Sequence, residues 1–320
     1  MGVMPYKARF FSLLAGGVLL ATTAACGSGA AQTAAAPGGA AGDKPTVLAA
    51  FYPLQWLTEQ IAGPDVTVQT LTAPGVEPHD LELTPQQVAG IGGASMTVYI
   101  KGLQPAVDEA IEQNAADKAF DAAAAVQTLP AHAEEEEEGG EAGHEHEHEV
   151  AYDPHLWLDP NRFAGVATKL GERLAEADQA HAQAYKDRAA KTVAALGALD
   201  QEFAKGLATC STRSIVTAHE AFGYLADRYK LKQVGISIDP EAEPSPARIA
   251  EVAKVAKSEK VTTIFTEALV STKVAEVLAT EVGAKTAVLD PMESQPSGGD
   301  YLSAMRGNLT TLRTALGCTA

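Results

Sequence analysis

The chain has 320 residues, of which 46% are hydrophobic and 6% aromatic, and its formal net charge is −17 at pH 7. This negative charge argues against nucleic acid as a partner, because the phosphate backbone attracts basic surfaces. The length suffices for two domains of ordinary size.

Residues 1–25 have the layout of an export signal peptide, with two basic residues, a short apolar stretch and then small residues. The apolar stretch is too short to favour a stable transmembrane span. The end of the segment is similar to the lipobox of bacterial lipoproteins, although Thr23 stands where Leu is usual. We therefore expect an extracytoplasmic protein that is held at the cell membrane by a lipid on Cys26. The alternative is an ordinary cleaved signal followed by an incidental cysteine.

Residues 26–44 are small, polar or contain Gly and Pro, which predicts a flexible, lipid-anchored tether. If Cys26 carries lipid, Cys210 and Cys318 are the two remaining cysteines. Two such cysteines in an exported chain predict a disulfide, which would contribute roughly 3 to 5 kcal/mol by loop entropy. The alternative is a pair of buried free thiols.

Beyond the tether, short β-rich runs alternate with helical stretches, which predicts βαβ units on parallel sheets. The predicted strands are residues 46–50, 66–71, 96–100, 214–218, 233–238, 261–265 and 286–290. They form two groups, so we predict two Rossmann-like α/β domains, over residues 45–177 and 208–320. Residues 178–207 lack proline and are rich in helix formers, which predicts one rigid connector helix of roughly 45 Å with Asp178 as its N-cap.

Residues 131–149 contain nine Glu, four His and no Lys or Arg. Such a segment has too little apolar surface to order itself, so it predicts a disordered loop inside the N-terminal domain. Two interpretations stay open, a low-affinity collector of metal ions and a solvated spacer with incidental binding. The histidines of this loop are His132, His144, His146 and His148.

Three other histidines, His79, His155 and His219, occupy equivalent positions between predicted strands and helices, whereas His181 has the polar neighbours of a solvated surface residue. In open α/β sheets, ligands bind outside the carboxyl ends of the strands, where side chains from separate units converge. Imidazole is also the commonest protein ligand of borderline metals. The pattern therefore predicts a metal site in a single cleft.

Several segments are similar to those of one receptor family. They are PHDLELTP, DPHLWLDP, VTAHEAFGYLA, VTTIFTEALV and VLDP, with a His-rich acidic insert between the first two. They resemble the zinc-binding solute receptors of metal ABC importers, over residues 46–318. The resemblance implies two α/β domains joined by a long helix, a metal held between them, no catalysis, and delivery to a membrane permease. We expect such a receptor to be a monomer.

By the same resemblance, the metal ligands map onto His79, His155, His219 and Asp290. Three further carboxylates lie near these positions and are alternative oxygen donors or lining groups, and a water is also open as the fourth ligand. These carboxylates are Glu77, Glu220 and Glu267.

The donor set indicates which metal binds. Three imidazoles and one oxygen in a tetrahedron favour Zn²⁺. Manganese receptors of the family carry a carboxylate where His219 stands, which suits a harder cation. A manganese receptor, a zinc-storage or adhesin lipoprotein, and a zinc enzyme are the alternatives; no general base or oxyanion arrangement is evident beside the histidines.

Overall fold

The computed structural model describes residues 44–131 and 152–319. Several predictions lie outside the described residues. They are the signal peptide 1–25, Cys26 and the tether up to residue 43, and most of the predicted loop, with His132, His144, His146 and His148.

The N-terminal half contains a four-stranded parallel sheet in the order β2-β1-β3-β4. Its elements are β1 (Thr46–Ala49), α1 (Tyr52–Ala62), β2 (Thr67–Thr70), α2 (Pro85–Gly93), β3 (Met96–Tyr99), α3 (Pro105–Asn114) and β4 (Ala119–Asp121). The central strands β1 and β3 are almost wholly buried, as their β-branched and apolar residues favour. The edge strand β4 is not predicted from the sequence, because its three half-buried residues form no apolar run.

The C-terminal half repeats this topology, with all strands parallel and the order β6-β5-β7-β8. Its elements are β5 (Ser214–His219), α6 (Gly223–Tyr229), β6 (Lys232–Ser237), α7 (Pro246–Ser258), β7 (Thr263–Thr266), α8 (Lys273–Val282), β8 (Lys285–Val288) and α9 (Tyr301–Ala315). Two α/β sheets of the same strand order confirm the predicted fold class.

Two long helices, α4 (Pro160–Ala177) and α5 (Ala182–Gly206), lie between the sheets in the chain. The predicted connector helix therefore begins later than residue 178. Asp178 ends α4 instead of capping α5, because its carboxylate accepts hydrogen bonds from the Ala180 backbone, the His181 ring and the Tyr185 hydroxyl, at 3.1, 2.6 and 2.9 Å. These bonds close the turn between the two helices.

Helix α5 contacts both halves of the protein. Near its start, Arg188 donates hydrogen bonds to the carbonyl oxygens of Ile61 and Ala62 at the end of α1. Near its end, Glu202 pairs with Arg306 of α9 at 2.8 Å. The long helix of the predicted fold thus contacts helices of both halves.

One hydrophobic core runs through both halves. Trp56 of α1 stacks on Tyr301 of α9 with ring centroids 4.7 Å apart. Trp157, which precedes α4, donates its indole N–H to the carbonyl oxygen of Pro291 at 2.7 Å. The shared apolar core and the stacked rings disfavour a wide hinge opening between the halves.

The predicted disulfide between Cys210 and Cys318 is present and ties the C-terminus to the start of the second half. The bridged residues are 108 positions apart, so by loop entropy the crosslink contributes on the order of 4 to 5 kcal/mol.

Among the described residues, no helix is long and apolar enough to cross a membrane.

Candidate metal centre

Four side chains from distant parts of the chain meet between the two sheets. They are His79, in the irregular connection from β2 to α2; His155, just before the 3₁₀ turn Leu156–Leu158; His219, the last residue of β5; and Glu293, in the connection from β8 to α9. One ligand atom of each lies within 4.8 Å of the ligand atoms of the others. The three predicted histidines are therefore brought together.

The spacing of these atoms fits a tetrahedral ion. One Glu293 oxygen lies 3.4 Å from Nε2 of His79 and 3.7 Å from Nε2 of both His155 and His219. Donors placed about 2.1 Å from a central Zn²⁺ in a tetrahedron are about 3.4 Å from one another. The group is thus already close to the size that a zinc ion requires.

The Nε2 atoms of His155 and His219 are buried, and among the described residues neither has a hydrogen-bond partner. Unpaired polar atoms are rare in protein interiors because burying them costs free energy. Two such atoms that face the same carboxylate are explained by an ion that both of them bind. This observation supports a metal site independently of the spacing.

Two carboxylates orient these two rings by bonding Nδ1, the ring nitrogen that does not face Glu293. Asp153 accepts hydrogen bonds from both the backbone N–H and Nδ1 of His155, at 2.9 and 2.7 Å. Glu267 does the same for His219, at 3.0 and 2.6 Å. With the proton on Nδ1, the neutral ring presents the Nε2 lone pair to the ion. Glu267, predicted as a possible further ligand, therefore lies behind His219 instead of beside the ion.

The other two candidate carboxylates differ in position. Glu77 accepts a hydrogen bond from the backbone N–H of His79 at 2.9 Å, so it shapes the turn of that ligand. Burial and the charge of Glu293 raise the pKa of Glu77 to about 7. Glu220 pairs with Arg248 at 3.2 Å and accepts the backbone N–H of Gly235 at 3.4 Å, and it is not part of the group of four side chains.

The fourth side chain beside the three histidines is Glu293, where the resemblance predicts Asp290. One Asp290 oxygen accepts the backbone N–H of Met292 at 2.8 Å, and Asn308 bonds both backbone groups of Asp290. Met292 has a φ of 65°, in the left-handed region. Asp290 thus stabilises the turn that directs Glu293 into the site. The sequence contains a signal for this role, because Asp290 precedes Pro291. Asp before Pro favours a turn, in which the carboxylate bonds the backbone and is not free to bind an ion.

The charges of the site raise proton affinity at two of the histidines. Burial alone would lower the pKa of every one, and it dominates at His155, whose pKa is lowered. At His79, the bond to Glu293 and its charge outweigh burial and raise the pKa. At His219, the bond to Glu267 and the nearby carboxylates outweigh burial and raise the pKa to about 9. Protons therefore compete with a metal ion for this site.

The site opens to solvent beside His79. The side chain of His79 is 13% exposed, compared with 7% for His155, 1% for Glu293 and 0% for His219. His79 is therefore the most accessible of the four side chains.

Comparison with known proteins identifies the family. The family described as zinc-uptake complex component A, periplasmic (ZnuA), matches residues 47–315. The zinc-binding lipoprotein AdcA of Streptococcus pneumoniae is 35% identical over 285 residues, which cover 85% of this chain and 56% of AdcA. The high-affinity zinc uptake system protein ZnuA of Bacillus subtilis is 34% identical over 86% of this chain and 88% of its own length. The chain thus spans about half the length of the AdcA proteins that it matches.

Solved structures show the same architecture. The laminin-binding protein Lmb of Streptococcus agalactiae has a TM-score of 0.74 at 30% identity, covering 85% of this chain and 99% of that one. The Zn(II)-bound ZnuA-like domain of S. pneumoniae AdcA has a TM-score of 0.70 at 33% identity, covering the same shares. The matched family consists of substrate-binding receptors, not of enzymes. These matches, together with the metal centre, show that the chain belongs to the ZnuA family of periplasmic zinc-uptake components.

Proposed function

We propose that the protein is an extracytoplasmic receptor that binds one Zn²⁺ through His79, His155, His219 and Glu293 and delivers it to an ABC-type membrane importer. The observation that carries this proposal is the pair of buried, unpaired Nε2 atoms facing a shared carboxylate oxygen. The names of the relatives, which describe zinc-binding lipoproteins and a zinc uptake protein, support the same cargo.

The donor set favours zinc over manganese. Three imidazole nitrogens and one carboxylate oxygen suit a tetrahedral, borderline-soft ion. Mn²⁺ prefers more oxygen donors and a larger coordination number. The manganese alternative therefore has less support than zinc from the residues at this site.

Delivery requires that the ion leave as well as bind. The continuous core through Trp56 and Tyr301 disfavours a wide separation of the halves. His79 and Glu293 both lie in irregular connections, and Gly75 of the first connection donates a hydrogen bond to Ser294 of the second, at 2.7 Å. We propose that release begins with movement of these two connections.

The remaining parts of the proposal concern the cellular setting. Residues 1–25 direct export, Cys26 carries the lipid, and residues 26–44 tether a monomeric receptor near its permease. The histidines of residues 131–149 bind additional Zn²⁺ weakly. The names of the lipoprotein relatives support the anchored location.

Calorimetric titration of the purified protein with Zn²⁺ tests the proposed site. We expect one tight ion per molecule in the wild type and in the surface control His181→Ala, and loss of the tight phase in His219→Ala. A deletion of residues 132–148 should remove only the weak sites. Wild-type affinity in His219→Ala would refute the site, and loss of the tight site in the deletion would place a primary ligand within the removed segment.

Adhesion is a second candidate, because the similar Lmb structure is described as a bifunctional protein with adhesin and metal transporting activity. Binding of the zinc-loaded protein to immobilised laminin distinguishes the two. We expect a strain that lacks the gene to grow poorly under zinc limitation and to be rescued by the wild type but not by His219→Ala. Laminin binding without any zinc-dependent growth phenotype would favour adhesion.

A further inference from the structure

One buried tyrosine of the C-terminal half bonds the N-terminal half directly behind the metal centre. Tyr224 lies in α6, five positions after His219, and its side chain is buried. Its hydroxyl donates a hydrogen bond to the carbonyl oxygen of Asp153 at 2.6 Å and accepts one from the backbone N–H of Leu129 at 3.0 Å. A single side chain thus joins the helix that follows one ligand to the turn that carries another.

The two residues that Tyr224 bonds are also bonded to each other. The backbone N–H of Asp153 donates to the carbonyl oxygen of Leu129 at 3.0 Å, and Pro130 and Tyr152 form an antiparallel bridge. Tyr224 therefore holds a paired unit of backbone and not one isolated strand.

The same Asp153 fixes the orientation of His155. Its carboxylate accepts from both the backbone and the ring of His155, at 2.9 and 2.7 Å. Any shift of Asp153 relative to the C-terminal half therefore moves the His155 ring relative to His219.

The tyrosine itself is held in one orientation. The Arg162 guanidinium lies over its ring, 4.9 Å from the centroid, and also pairs with Asp227 of the same helix as Tyr224, at 3.3 Å. Burial raises the pKa of Tyr224 to about 12, so the phenol stays protonated and remains a donor at neutral pH.

We infer that Tyr224 is a positioning residue of the zinc site, which sets the separation of His155 and His219 before the ion binds by bonding the His155 turn to the C-terminal half. This inference rests on the proposed function. Ligands that are held in place in advance lose less conformational freedom on binding, so the bond increases affinity without contacting the ion.

The test compares Tyr224→Phe with Tyr229→Phe. Tyr229 is a buried tyrosine of the same helix whose hydroxyl bonds Asp200 of α5 at 3.0 Å, away from the metal centre. Tyr224→Phe loses the two hydrogen bonds of its hydroxyl, and Tyr229→Phe loses the bond to Asp200. We expect Tyr224→Phe to bind Zn²⁺ about tenfold more weakly, as for other groups that orient metal ligands indirectly, and to change the visible absorption of the Co²⁺-loaded protein. Tyr229→Phe should keep the wild-type affinity and spectrum even if its melting temperature falls.

Wild-type affinity and an unchanged Co²⁺ spectrum in Tyr224→Phe would overturn the inference. If His219→Ala loses zinc binding in the same experiment, the proposed function stands even though the inference fails. No zinc binding by the wild type would instead refute the proposed function. If Tyr224→Phe does not fold, amide hydrogen exchange in the wild type decides. The Leu129 amide should be protected in both the metal-free and zinc-loaded protein, and rapid exchange in the metal-free protein would overturn the inference.

Discussion

The four proposed metal ligands, His79, His155, His219 and Glu293, fall into two pairs that are held in place differently. His155 and His219 are buried, and a carboxylate bonds both the ring and the backbone of each, so their positions are set by the fold. His79 and Glu293 come from irregular connections, and within the described residues the ring of His79 bonds only Glu293. The first pair can bind the ion with little loss of conformational freedom. The second pair can move to let the ion enter and leave.

The largest expected effect comes from removing a ligand of the fixed pair. His155→Ala or His219→Ala should weaken Zn²⁺ binding by at least about a hundredfold, whereas His79→Ala should weaken it by about tenfold, because an ordered donor contributes more than one that must be ordered on binding. Competition with a chelator of known affinity measures each constant, with His181→Ala as the surface control. Equal losses at all three positions would contradict the division into two pairs.

The supporting carboxylates should have the next largest effect. Glu267→Gln and Asp153→Asn remove the charge that orients and polarises His219 and His155, and we expect each to weaken Zn²⁺ binding by about 10- to 100-fold. Glu202→Gln, at an exposed ion pair with Arg306, is the matched control and should bind like the wild type. If the supporting variants bind like this control, the rings are positioned by packing alone.

The affinity should also depend on pH through His219. Its pKa is raised to about 9 in the metal-free protein, so below that pH the ion must displace a proton. Apparent affinity should therefore fall by about tenfold for each unit of pH from 8.5 towards 7, more steeply once His79 is also protonated. Titrations at several pH values, repeated in buffers of different ionisation enthalpy, count the released protons. A constant affinity between pH 7 and 8.5 would show that His219 is already neutral.

The smallest expected change in Zn²⁺ affinity is that of Asp290→Asn, and its comparison with Glu293→Ala shows which carboxylate binds the ion. Asp290→Asn keeps the oxygen that accepts the Met292 backbone N–H, so we expect affinity to change by no more than about threefold. Glu293→Ala removes a donor and should weaken binding by about tenfold or more. The same chelator competition measures both. A larger loss in Asp290→Asn than in Glu293→Ala would restore Asp290 as the ligand.

The histidines and the fold are readable from sequence because both follow from short-range patterns. Alternating strands and helices place the carboxyl ends of parallel strands at one edge of each sheet; His219 ends β5 and His79 lies in the connection that follows β2, whereas His155 precedes a 3₁₀ turn. The fourth donor is not readable in this way. Asp290 and Glu293 lie in the same connection, and only the turn at Met292 decides which carboxylate reaches the ion.

The position of the long helix shows the same limit. Composition alone predicts a helix through residues 178–207, because Ala, Lys, Glu and Gln all favour it. Asp178 interrupts that pattern, since its carboxylate bonds two groups of the following turn and the Tyr185 hydroxyl of α5. Local propensity does not locate this boundary, because helix formers lie on both sides of Asp178 and the end of α4 depends on the bonds that the Asp178 side chain makes.

Anomalous diffraction across the zinc edge from a zinc-loaded crystal tests the central claim most directly. The account predicts one strong site with its peak about 2.0 to 2.2 Å from Nε2 of His79, His155 and His219 and from a carboxylate oxygen of Glu293. A strong peak bound by Asp290 in place of Glu293, or one that lacks His155 or His219, would contradict it.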